Sequence, residues 1–193
     1  CLCDIETINE LKPDYIGFVF VPHSSRRISA EKAAYLKTRL HCGIAAVGVF
    51  CDEDPKTIVQ LLTEGTIDAV QLHGREDAAY IRRLRSYTDG LIIQAFRIDG
   101  REDLARVEAS LADIVLLDSG TGGTGNAFDW NLVCDLSRPF FLAGGLWAST
   151  VCHAIETLHP YAVDVSSGIE TDGKKDRLKM REFVQAVRNA DAK

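Results

Sequence analysis

The sequence predicts an α/β chain built on a parallel sheet, and two observations predict it. Seven strand-length apolar runs follow one another, most of them continuous rather than alternating, as in strands buried on both faces. Between them lie amphipathic stretches with helix-start signals and no hairpin signal, the order strand–crossover helix–strand that makes a parallel sheet. Seven runs suit either a doubly wound open sheet or a (β/α)₈ barrel whose first strand would precede residue 1.

The chain opens with a helix, about Ile5 to Leu11, ahead of the first run, Tyr15 to Phe20. Ser29 can cap a helix beginning Ala30-Glu31-Lys32, which leads to the run Ala45 to Phe50. Asp54-Pro55 offers a cap followed by proline at the first helical position, ahead of the run Ala69 to Leu72. Gly74-Arg75-Glu76-Asp77 turns into the helix before Leu91 to Phe96, and Asp99-Gly100 into the helix before Ile114 to Leu117. Phe140 to Ala143 and Ala162 to Val165 complete the series. No linker, low-complexity tract or charge block divides residues 1–193, so one domain is expected.

Hydrophobic residues make up 46% of the 193, enough for a sizeable core, and charged residues 26%. A formal net charge of −6 argues against a nucleic-acid partner, which selects for basic stripes. No apolar run approaches the roughly twenty residues of a membrane span, so no membrane partner is expected. The six cysteines form no CxxC pair and several sit in apolar runs, which points to thiols in a reducing cytoplasm.

Ligands of either architecture bind at the carboxyl ends of the strands. After the first run comes Ser25-Arg26-Arg27, where a guanidinium group can grip a carboxylate or phosphate. The third run ends Gln71-Leu72-His73-Gly74, and alternation puts Gln71 and His73 on the same side. The fifth ends in Asp118, a candidate general acid ahead of a glycine-rich loop. The loop after it holds four glycines in Ser119–Gly125 and is not a P-loop, because Asn126-Ala127 follows. Gly144-Gly145 and Ser166-Ser167-Gly168 end the last two strands, where small residues with free N–H groups suit a phosphate.

These residues resemble the phosphoribosylanthranilate isomerase family nearly end to end. The landmarks are Gly17-Phe18-Val19-Phe20, Ser25-Arg26-Arg27, Val47-Gly48-Val49-Phe50, Val70-Gln71-Leu72-His73-Gly74 and Leu116-Leu117-Asp118. They continue through Gly122-Gly123-Thr124-Gly125, Leu142-Ala143-Gly144-Gly145 and Val163-Asp164-Val165-Ser166-Ser167-Gly168-Ile169-Glu170. The resemblance implies a (β/α)₈ barrel. It implies the Amadori rearrangement of N-(5-phosphoribosyl)anthranilate to 1-(2-carboxyphenylamino)-1-deoxyribulose 5-phosphate in tryptophan biosynthesis, without cofactor or metal. Asp118 matches the general acid, Arg26 the arginine near the anthranilate end, and His73, with Gln71, the pocket lining. Gly123, Gly144, Gly145, Ser166, Ser167 and Gly168 match the loops that hold the phosphate. The expected partner is the small sugar phosphate alone, in a monomer or homodimer.

The family's general base is a cysteine in a Lys-x-Cys-Gly motif at the end of the first strand, and that register falls ahead of residue 1. The barrel is therefore expected to be N-terminally incomplete in this chain, with Leu2-Cys3-Asp4 in the first helix and both Cys1 and Cys3 non-catalytic. The alternative is an impaired or non-catalytic sugar-phosphate-binding barrel. Asn126, where the family usually has lysine, and Trp147-Ala148, in place of a polar–proline pair, are smaller departures.

Overall fold

In a computed structural model of the chain, the described residues are 1–119, 130, 133 and 136–192. Their helices are α1 (Leu2–Leu11), α2 (Ala30–Lys37), α3 (Pro55–Thr63), α4 (Ala78–Arg85), α5 (Glu102–Glu108), α6 (Val151–Leu158) and α7 (Arg177–Asp191). The strands are β1 (Tyr15–Val19), β2 (Ala45–Phe50), β3 (Ala69–Leu72), β4 (Leu91–Ile98), β5 (Ile114–Ser119), β6 (Phe140–Ala143), β7 (Ala162–Val163), β8 (Glu170–Thr171) and β9 (Lys174–Lys175).

Seven strands form one sheet in the order β1-β2-β3-β4-β5-β6-β7. The pairs β1–β2, β2–β3, β3–β4, β5–β6 and β6–β7 are parallel. A doubly wound sheet reverses its strand order at a switch point; this sheet runs in chain order throughout, as a (β/α)₈ barrel does. The fold is thus of the barrel class, with seven of its strands among the described residues. All four residues of β3 and of β6 are buried, which explains their continuous apolar sequences.

The chain divides into two compact units, residues 1–95 with 110–113, and residues 96–109 with 114–193. The first has a core that includes Phe18, Phe50, Ile58, Leu72, Leu84 and Ile92. The second has its own, which includes Phe96, Leu117, Phe140, Leu142, Leu158 and Phe183.

Helix starts follow the sequence cues at three places. Ser29 accepts the Lys32 N–H, Asp54 the Lys56 N–H ahead of Pro55, and Asp77 the Tyr80 N–H. At α5 the cue is displaced. The carboxylate that takes up the Asp99 and Gly100 N–H groups belongs to Asp103, inside the helix, at 3.0 and 3.2 Å. Those two bonds hold the Asp103 carboxyl below its ordinary range, the Asp99 N–H contributing most.

One device recurs at the amino ends of strands in the first unit. Asp68, just before β3, accepts the Ala46 N–H at 2.6 Å and pairs with Lys37 at the end of α2. Asp113, just before β5, accepts the Ile92 N–H at 2.8 Å and pairs with Arg85 at the end of α4 at 2.5 Å. Each aspartate ties a strand start to the helix that precedes the neighbouring strand.

Two features depart from the sequence reading. Glu170–Lys175 forms an antiparallel hairpin, β8 with β9, around Asp172-Gly173. Both turn residues have positive φ, 51° and 73°, the conformation that an Asp-Gly hairpin turn requires. Cys1 and Cys3, read as thiols, are joined by a disulfide two residues apart, a cross-link over too short a loop to restrict the unfolded chain much. Cys42, Cys51 and Cys152 are free.

Candidate active site

In the first unit, the polar residues expected on β3 lie where alternation puts them. Gln71 is 7% exposed, and its Nε2 lies 3.2 Å from Nδ1 of His73. An amide N–H donating there makes Nδ1 the acceptor and leaves the ring proton on Nε2. The His73 N–H donates to the Phe50 carbonyl at 2.8 Å, while its side chain is exposed. Gln71 is thus a fixed, buried amide that orients an exposed imidazole.

What holds this strand end is a residue that the sequence reading used only as part of a turn. Glu76 is 6% exposed; it accepts the Asp52 N–H at 2.7 Å on one oxygen and the Gly74 N–H at 2.8 Å on the other. It therefore bridges the loops that follow β2 and β3. Asp52, in the left-handed region at φ 52°, accepts the Arg75 N–H at 2.7 Å and reinforces the bridge. Gln94 on β4 donates to the Glu76 carbonyl at 2.7 Å and accepts from the Ser110 hydroxyl at 2.6 Å. The carboxylates here also act on two neighbours. Burial first, then Glu76 and Asp52, push the Cys51 thiol up. Burial and the charges led by Glu76 push up the Tyr80 phenol, whose hydroxyl donates to the Glu53 carbonyl at 2.6 Å.

Arg26 sits in the loop after β1. Its N–H donates to the Ser24 hydroxyl at 3.2 Å, and the Ile28 N–H closes the loop on the Val19 carbonyl at 2.9 Å. The loop is pinned by its backbone, and the Arg26 side chain is exposed.

In the second unit, Asp118 lies near the carboxyl end of β5, half-buried and in register with Ala143 of β6. Ala143 leads directly into Gly144 and Gly145, at φ 79° and 64°. Two successive left-handed residues turn the chain sharply off the strand, a path that side chains would strain. Gly123, expected with them at the phosphate, lies outside the described residues, as does Asn126.

The loop after β7 reaches the loop after β6 at one point. A Cβ on Gly168 would lie 2.0 Å from the Leu146 carbonyl oxygen, so only glycine permits this approach. Ser166 and Ser167 are exposed, Gly168 is buried, and Ser167–Ile169 makes one 3₁₀ turn. One expected phosphate segment, at Gly168, therefore meets the backbone of Leu146, the residue that follows the other, within this unit. Residues of the missed hairpin back them: Lys175 donates to the Ser166 carbonyl at 2.9 Å and pairs with Glu170 at 2.9 Å. A cleft of about 230 Å³ bounded by Trp147, Ser149, Gly168, Lys179 and Glu182 lies against this loop. It includes neither Asp118 nor the two serines and is smaller than ordinary ligand sites, so the substrate is not placed in it.

The comparisons with known proteins identify the family and its fold. A family model described as N-(5'-phosphoribosyl)anthranilate (PRA) isomerase matches residues 2–186. The N-(5'-phosphoribosyl)anthranilate isomerase of Endomicrobium trichonymphae is 40% identical over 96% of this chain and 93% of its own length. The crystal structure of phosphoribosyl anthranilate isomerase from Thermotoga maritima superposes with a TM-score of 0.89 at 35% identity, covering 98% of this chain and 95% of that one. Another such structure, in complex with reduced 1-(o-carboxyphenylamino)-1-deoxyribulose 5-phosphate, gives 0.87 at 34% identity, covering 98% and 94%.

Proposed function

Since the chain belongs to the N-(5'-phosphoribosyl)anthranilate isomerase family, we propose that its residues serve the Amadori rearrangement of phosphoribosylanthranilate in tryptophan biosynthesis. Asp118 is the general acid. Its carboxyl group gives a proton to the furanose ring oxygen as the C1–O bond breaks, while the anilino nitrogen lone pair forms the C1=N bond. Loss of the C2 proton to a general base, a cysteine in the family, then gives the enol-amine. Tautomerisation of that species yields the 1-amino-1-deoxy ketose.

The single observation that carries the reading is the placement of Asp118. It lies near the carboxyl end of β5 in register with Ala143, after which Gly144 and Gly145 begin a loop that Gly168 meets in backbone contact at Leu146. An acid is thereby set beside small-residue segments whose N–H groups suit a phosphate. Gly144, Gly145, Ser166, Ser167 and Gly168 take the phosphate, and Gly123, outside the described residues, is assigned to it from the sequence. Within the first unit, Arg26 is assigned the anthranilate carboxylate as a bidentate partner, and His73, oriented by Gln71, a contact with the substrate. We place the enzyme in the cytoplasm, a reading favoured by the free thiols of Cys42, Cys51 and Cys152 and opposed by the Cys1–Cys3 disulfide.

The test is conversion of phosphoribosylanthranilate followed by loss of its anthranilate-type fluorescence, with the ketose product identified by mass and NMR spectra. Saturable conversion supports the proposal. Turnover of a different sugar phosphate, with none of this one, would replace it.

A further inference from the structure

The hairpin β8–β9 lies outside the chemistry just described, yet its two facing residues converge on the loop after β7. Glu170 and Lys175 are a cross-strand pair, and their side chains form an ion pair at 2.9 Å. The Glu170 side chain is only 8% exposed and that of Lys175 29% exposed, so this is not an ordinary solvated surface pair. The same ammonium group donates to the Ser166 carbonyl at 2.9 Å. Lys179 of α7 donates to the Glu170 carbonyl at 2.7 Å and ties the hairpin to the helix behind it. Asp176, which caps α7 through the Leu178 and Lys179 N–H groups, also accepts the Thr171 hydroxyl at 2.8 Å.

The consequence lies in the next peptide. The Ser166–Ser167 bond is trans, so the Ser166 carbonyl and the Ser167 N–H point in opposite directions across one plane. An ammonium that grips the carbonyl therefore aims the N–H of Ser167 away from the hairpin. On the other side of the turn, Gly168 is pressed against the Leu146 carbonyl. The peptide is thus held from both ends.

We propose that Lys175, held by Glu170, is a positioning residue for phosphate binding: it fixes the Ser166–Ser167 peptide so that its N–H is presented to the substrate's phosphate. This rests on the reading of the loop after β7 as part of the phosphate site. Lys175 acts through the backbone and does not touch the substrate. Its ammonium offsets the Ser166 carbonyl dipole, which would otherwise be free to turn toward an anion.

The experiment is titration calorimetry of the full chain with reduced 1-(2-carboxyphenylamino)-1-deoxyribulose 5-phosphate and with the same compound lacking its phosphate. The variants are Lys175→Gln, Lys175→Arg and Ser167→Asp. Lys175→Gln is expected to weaken the phosphorylated ligand about tenfold, the scale of one positioning hydrogen bond, and to leave the other ligand unchanged. Lys175→Arg, which can still donate to the carbonyl, is expected to restore most of that loss. Ser167→Asp, which sets a carboxylate where the phosphate would bind, is expected to weaken the phosphorylated ligand selectively. Equal losses for both ligands in Lys175→Gln, or none, with Ser167→Asp still selective, would overturn the positioning role and leave the phosphate reading standing. If Ser167→Asp also fails to discriminate the two ligands, the phosphate reading falls and the role of Lys175 falls with it.

Discussion

Replacing Glu76 by alanine is expected to destabilise the fold by about 2–3 kcal/mol, most of it from the two backbone groups left behind. The Asp52 and Gly74 N–H groups, now bound at 2.7 and 2.8 Å, would lose their acceptors at a site where the carboxylate is 6% exposed. A part-buried donor left unpaired costs about 1–2 kcal/mol, and the lost methylene adds about 0.8. Removing the carboxylate also removes the cost of dehydrating its charge, which brings the net to the range given. Glu76→Gln keeps one acceptor and points an amide N–H₂ at the other donor, so about half the loss is expected. In urea, with a slope of about 2 kcal/mol/M, the alanine variant should unfold at a midpoint lower by about 1–1.5 M. Glu6→Ala, on the exposed face of α1, is the control and should stay within about 0.5 kcal/mol. A Glu76→Ala midpoint no lower than that control would refute the bridging role.

Other consequences can be measured independently. Gly168→Ala would set a Cβ 2.0 Å from the Leu146 carbonyl oxygen, so the backbone must part there; a loss of about 1–3 kcal/mol in stability is expected by thermal melting, together with weaker binding of the phosphorylated ligand. Ser29→Ala removes the acceptor of the Lys32 N–H and should lower stability by about 1 kcal/mol, read as a drop of about 2–4 °C in Tm. Burial and the nearby carboxylates raise the Cys51 thiol, so it should alkylate more slowly than exposed Cys42 at neutral pH, with its pH profile displaced upward. The sign for stability follows: between the lower unfolded value and the higher folded one, the unfolded chain has released a proton that the folded one keeps. Stability should therefore fall as pH rises through that window, and a Cys51→Ser variant should lack that component.

The strands were legible because most of them are buried on both faces, and continuous apolar runs such as Ala69–Leu72 and Phe140–Ala143 cannot hide in a polar sequence. Their ends were less so. β4 runs on to Ile98 and β5 to Ser119, while β7 stops at Val163, because pairing with a neighbour and not hydropathy sets where a strand stops. Spacing alone left the open sheet and the barrel both possible; the family resemblance implied the barrel, and the strand order is that of a barrel. Asp172-Gly173 was a readable turn signal, but flanking strands of two residues each offer no apolar alternation to mark a hairpin. Glu76 and Lys175 look in sequence like ordinary surface charges. Their importance comes from tertiary burial and from backbone partners on other segments, which no local pattern reports. The displaced cap at α5 is a similar case, since Asp99 and Asp103 are equally good candidates until the bonds are seen.

The measurement that tests the central claim most directly is the fluorescence progress curve of phosphoribosylanthranilate with Asp118 intact and with Asp118→Asn, each chain preceded by a strand carrying the Lys-x-Cys-Gly motif. The account predicts saturable conversion by the first. For the second it predicts a fall in kcat of about 10²–10⁴, the contribution of a positioned general acid, with binding of the reduced product analogue retained. Undiminished turnover in Asp118→Asn would contradict the assignment of the acid, and turnover in neither chain would contradict the reading of this chain as the isomerase.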